Sequence, residues 1–186
     1  MNVERDLARN AVIVFADLQE GIVDHARTND AATIARAARA LGKLARIRSI
    51  PVVTTTIPIG SGKLINEIAE FGPPLVRTRA DAFAHVPFRE AVEATGCREL
   101  LICGVASEIV VQMTALSGLR RGYAVQVVVD AGGGRSERTE RAAFDRVQQA
   151  GGVLTSVAGV IAELLGDFSD PVGGQVAAVL QEFSAH

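Results

Sequence analysis

The sequence predicts one doubly wound α/β domain, a three-layer α/β/α sandwich around a central parallel sheet. Three observations carry this. Several short apolar runs show no polar alternation, as expected of strands covered on both faces. Segments with helical periodicity and recognisable caps lie between them. The links joining the two kinds of segment are short, and strict β–α alternation implies parallel strands with right-handed crossovers.

The runs come in order. Ala11–Ala16, AVIVFA, is apolar throughout and ends at Asp17. Residues 51–56, PVVTTT, are β-branched after the proline and run into Ile57-Pro58. Residues 100–103, LLIC, end at Gly104. Residues 124–129, AVQVVV, end at Asp130, and a shorter run spans 153–157. The sheet is expected to hold about six strands, a typical number.

Helices fill the gaps. Asn29-Asp30 can cap a helix through AATIARAARALGKLARIRS. Pro87 opens FREAVEATG, which Gly96 closes. Ser107 is expected to cap a helix through Arg121, and Ser136 another, ERTERAAFDRVQQAGG. The tail, residues 160–183, reads as one or two further helices, packed on a sheet face or on another subunit. The glycine- and proline-bearing stretch 57–74 reads as a long connection within one domain spanning 1–186.

Composition narrows the function classes. A chain of 186 residues with 48% hydrophobic and 22% charged residues suits one globular core. A net charge of −2, with scattered basic residues, gives no reason to expect nucleic acid or a membrane as partner. The polar start and the short apolar runs point to a cytoplasmic protein. Cys97 and Cys103 suggest no disulfide. His25, His85 and His186 have no metal-ligand spacing, and GGGR at 132–135 lacks the dinucleotide fingerprint. Neither metal nor cofactor is expected, and a small molecule is the partner to look for.

Ligands of such sheets bind at the carboxyl ends of the strands. Asp17 is therefore either a partly desolvated proton-transfer carboxylate or a turn residue. Arg77, after Leu75-Val76, can pair with an acid or hold an anion, whereas Arg79 reads as a surface residue. At GVASE the backbone N–H groups of Val105, Ala106, Ser107 and Ile109 open a helix and make an oxyanion site. Cys103 reads as a buried core thiol and Cys97 as a partly exposed loop residue. His25 can line the cleft, with a surface position as the alternative. Asp130 is expected to contact a helix N-terminus or a loop.

AVIVFADLQEG, RTRADAF, LLICGVASEIVVQMTAL, GYAVQVVVDAGGG and RAAFDRVQQAGG, in this order, resemble the isochorismatase-like cysteine hydrolases, which include nicotinamidases and N-carbamoylsarcosine amidases. The second half is most similar to the YcaC-like subgroup. The resemblance implies an isochorismatase-like, Rossmann-like fold, a homo-oligomer, and a triad of aspartate, lysine and cysteine. Asp17 matches the aspartate. The lysine position falls at Arg77 or a residue or two beside it. The family pattern G-V-x-T-E-x-C-V overlies residues 104–111, so Ser107 replaces the threonine, Glu108 matches, and Val110 stands at the nucleophile. The resemblance also implies a cis peptide at Val105-Ala106.

A valine cannot attack a carbonyl, so thiol-dependent amide hydrolysis is not expected. Two readings stay open. One is a catalytically silent member that keeps the fold for binding or assembly. The other is a hydrolase without a thiol, with Asp17 as general acid or base on a small carboxylate-bearing substrate.

Overall fold

In the computed structural model, residues 7–167, 169 and 171–185 are described. Six strands form one parallel sheet: β1 (Ala11–Ala16), β2 (Val52–Thr56), β3 (Leu75–Val76), β4 (Glu99–Gly104), β5 (Ala124–Val128) and β6 (Val153–Thr155). Their order is β3-β2-β1-β4-β5-β6, and every pairing is parallel. The chain winds outward from β1 to one edge, then returns to build β4 on its other side. The switch point lies between β1 and β4, whose register matches Ala16 with Gly104. Both strands are buried along their whole length, which explains their unbroken apolar runs.

The helices are α1 (Leu7–Asn10), α2 (Ala31–Arg48), α3 (Val86–Ala94), α4 (Gln112–Arg120), α5 (Glu137–Gln149), α6 (Val157–Leu165) and α7 (Pro171–Ser184). The Asp30 side chain accepts from the Thr33 N–H to cap α2, and Ser136 does the same from Thr139 for α5. The core divides into two clusters, one on each face of the sheet. One gathers Ile13, Phe15, Leu41, Leu101 and Ile161, and the other Val12, Val14, Phe83, Leu100 and Val110.

Three expectations change. Ser107 is not the N-cap of the fourth long helix. A single π-helical turn, Ser107–Val111, precedes α4 with Ala106 as its cap residue. The Ser107 hydroxyl instead donates to Glu140 Oε1 across to α5, at 2.7 Å. Cys97 is buried, its thiol against the Ala11 carbonyl oxygen at 3.3 Å, while its neighbours Gly96 and Arg98 are exposed. The tail does form two helices, but α7 packs on α2 and α6 of its own chain, with Val176 and Val179 buried. Its apolar face therefore needs no second subunit to cover it. As expected, β2 and β3 are joined by a long connection, with a short 3-10 turn at Ala69–Phe71. His186 lies outside the described residues.

Candidate active site

The carboxyl ends of β1, β2, β3 and β4 converge, and the end of β1 presents Asp17. Its backbone is left-handed, with φ 57°, an uncommon state for an aspartate. This turn aims the carboxylate away from the strand axis while the Asp17 N–H still donates to Thr55 O at 3.0 Å. Thr55, at the end of β2, donates its hydroxyl to Asp17 Oδ1 at 3.1 Å. Arg77 follows β3 directly, and its Nη2 pairs with Asp17 Oδ2. Both side chains are buried. Burial raises the Asp17 pKa above the ordinary carboxyl value, and the Arg77 charge and Thr55 hydroxyl pull it back only in part.

Arg77 is held at a second point, since its Nη1 donates to the Arg79 carbonyl oxygen. Its Nε is buried without a partner. The guanidinium is thus committed to Asp17 and to backbone. That narrows the sequence expectation, in which Arg77 was also free to hold a substrate anion.

The opposite wall is the end of β4. Gly104 has φ 153°, and a Cβ there would lie 2.0 Å from the Ala16 carbonyl oxygen. Only glycine lets β4 pass so close to β1. The next peptide, Val105-Ala106, is cis. Of the four N–H groups expected to bind an oxyanion, three are already used. Val105 donates to Ala16 O at 3.1 Å, Ser107 to Gly133 O at 3.0 Å and Ile109 to Ala106 O at 3.0 Å. The expected four-amide site thus reduces to the N–H of Ala106, because the turn satisfies its own amides internally. Val110 is buried against the cleft, while Ile109 is 46% exposed at its mouth.

Between the walls lies a cleft with two lobes. One, of about 300 Å³, runs past Asp17, Arg77, Ile57, Ile59, Arg79 and Ile109. The other, of about 180 Å³, brings Asp17, Ala106 and Val110 together with Ile22, His25 and Arg135. The structure therefore brings together Asp17, Arg77, Ala106, Val105, Ile109 and Val110. Ser107 faces α5 instead. Among the described residues no three His, Cys, Asp or Glu side chains are grouped to hold a metal.

Several contributors were not picked out from the sequence. Gln19 is fully buried, and its amide donates to Ile59 O at 2.8 Å and accepts from the Ile57 N–H at 2.9 Å. It thereby fixes the loop that supplies the apolar wall. The apolar pair flanking Pro58, directly after the carboxyl end of β2, is the signal that could have found Ile57 and Ile59. Asn29 holds the 129–132 turn through Val129 O and Gly132 O, which carries Arg135 to the rim. Two residues at strand ends take the structural places expected of them. Cys103 is buried within β4, and burial pushes its thiol pKa far up. Asp130 accepts from the Val157 N–H at 2.8 Å and anchors the start of α6.

A family model, the isochorismatase domain, matches residues 11–159. The chain belongs to the isochorismatase family. Members similar to it include the probable hydrolase YcaC of Escherichia coli strain K12, 34% identical over 89% of this chain and 82% of the relative. Human isochorismatase domain-containing protein 2 is 32% identical over 96% of this chain and 86% of its own length. The crystal structure of E. coli YcaC, an octameric hydrolase of unknown specificity, superposes with a TM-score of 0.89 at 31% identity, covering 95% and 89% of the two chains. YcaC from Pseudomonas aeruginosa, solved with hexane-2,5-diol and covalent acrylamide, gives a TM-score of 0.84 at 29% identity, covering 95% of each. The chain is thus a YcaC-like member of an isochorismatase-like hydrolase family. Among the described residues, no helix is long and apolar enough to cross a membrane.

Proposed function

We propose that this chain is an isochorismatase-fold hydrolase relative that binds a small molecule in the cleft and performs no thiol-dependent hydrolysis. The observation that carries the reading is Val110, a buried valine on the cleft wall at the position the family pattern gives to the nucleophile. Cys103 offers no substitute, since a desolvated thiol with a raised pKa is not a nucleophile at neutral pH. What remains is Asp17, whose burial raises its pKa above the ordinary carboxyl value and so favours a role in proton transfer. The cleft stays open beside it, which supports a working pocket over one kept only for assembly. A non-thiol reaction with Asp17 as general acid or base on a small carboxylate-bearing substrate is the chemistry this leaves.

Acrylamide tests the thiol claim, because a thiolate adds to its double bond. A relative carries covalent acrylamide in its crystal structure. At neutral pH the wild-type protein should take up no acrylamide by intact-mass measurement, and Val110→Cys should take up one equivalent at residue 110. Uptake by the wild type would show a reactive thiol elsewhere and overturn the reading. The chain also acts, in this proposal, as one 1–186 domain in the cytoplasm and as a homo-oligomer, like the octameric E. coli relative. Sedimentation as a monomer at micromolar concentration would count against the assembly.

A further inference from the structure

The cleft's floor and rim differ in charge. On the floor, Arg77 pairs with Asp17 and is tied by its Nη1 to the Arg79 carbonyl oxygen, so the two opposite charges lie side by side. No other carboxylate lines either lobe. The rim is different. Arg135 and His25 border the lobe that holds Ala106 and Val110, and Arg79 borders the other. All three side chains are exposed. Among the described residues, none of the three has a side-chain hydrogen bond or ion pair. Glu108 meets Arg135 through one oxygen and the backbone only, its Oε2 being buried without a partner. It accepts from the Arg135 backbone N–H at 2.9 Å and from the Thr139 hydroxyl at 3.0 Å. Between floor and rim the wall is apolar, made by Ile22, Ile57, Ile59 and Ile109.

An anion entering this cleft finds its partners at the rim, since Arg77 is committed and the helix amides are mostly satisfied. We propose that the cleft takes a small organic anion, its apolar body against Ile57, Ile59 and Ile109 and its anionic group held by Arg135 and His25. The reactive end then points inward, toward Asp17. This rests on the reading of the cleft as a small-molecule site and adds the rim residues that hold the anionic group. Arg135 is placed for this by its neighbours. Arg27 N–H donates to Gly134 O at 2.8 Å and Gly134 N–H to Thr28 Oγ1 at 2.9 Å, which pin the preceding glycines to the loop carrying His25.

Pentanoate and pentanamide are suitable probes, equal in shape and different in charge. Binding is followed by ligand-observed NMR titration against the wild type, Arg135→Gln and Arg79→Gln. Each substitution removes one exposed positive charge, so their difference separates a direct contact from the general field. Pentanoate should bind the wild type at least about tenfold more tightly than pentanamide, as a charge-assisted hydrogen bond implies. Arg135→Gln should lose most of that preference, and Arg79→Gln should change it by less than about twofold. Equal binding of acid and amide overturns the inference while leaving a small-molecule site standing. Equal loss in the two variants also overturns it. Failure of both probes to bind the wild type overturns it together with the small-molecule reading.

Discussion

The two walls of the cleft are held by different means. The Asp17 wall depends on side chains. Three strands deliver Asp17, Thr55 and Arg77 to one buried cluster, and the charges of Asp17 and Arg77 stabilise each other. The Gly104 wall depends on backbone. A glycine at closest approach to β1, internally satisfied amides and the π-helical turn at Ser107–Val111 define its shape, with Val110 a packed side chain. A wall of the first kind is vulnerable to the loss of any one charge. A wall of the second kind keeps its shape whichever medium-sized side chain stands at residue 110, so an intact turn is no evidence for a nucleophile.

The largest effect should come from breaking the first wall. Arg77→Ala leaves the Asp17 carboxylate buried without its counter-charge, at a cost of about 3–5 kcal/mol in urea unfolding at neutral pH. The pH dependence follows from the sign of the shift. Asp17 already has a raised pKa in the folded state, and loss of Arg77 raises it further. The folded protein then holds a proton that the unfolded chain releases, so stability falls as pH rises through the interval between the two values. The variant's deficit should therefore shrink on acidification, as Asp17 becomes neutral and needs no partner. A deficit independent of pH would mean that Arg77 acts through packing alone.

A smaller effect should come from the second wall. Gly104→Ala puts a methyl group into the Ala16 carbonyl, and β1 and β4 must part at the switch point. Overpacking of this kind costs about 1–3 kcal/mol. Because no charge is uncovered, this deficit should be flat with pH in the same unfolding series. If it followed pH as the Arg77 variant does, the two walls would be one coupled unit and the contrast between them would fail.

The position of Asp17 followed from AVIVFA alone, because the first polar residue after a strand covered on both faces marks its carboxyl end, where the cleft lies. Cys103 and the helix caps at Asp30 and Ser136 followed from equally local rules. Asp130 shows the limit of that rule. It too ends a buried strand and was open to a helix N-terminus or a loop, and the place of Val157 in space decides for the start of α6.

The sequence by itself determined the strands, the alternation with helices, the parallel sheet and the residue at 110, since each depends on local periodicity or identity. Tertiary structure alone decided which polar groups were already satisfied. Arg77 could on paper pair with an acid or hold an anion, and it pairs with Asp17 and the Arg79 carbonyl. The amides of Val105, Ser107 and Ile109 were unpaired on paper and have found acceptors. Arg135 read as part of a glycine-rich turn and stands at the cleft's rim. The physical reason is common to all three. Hydrogen bonds and ion pairs are made between groups brought together by the fold, across separations as long as the 60 residues between Asp17 and Arg77, and no local pattern records which partner arrives first.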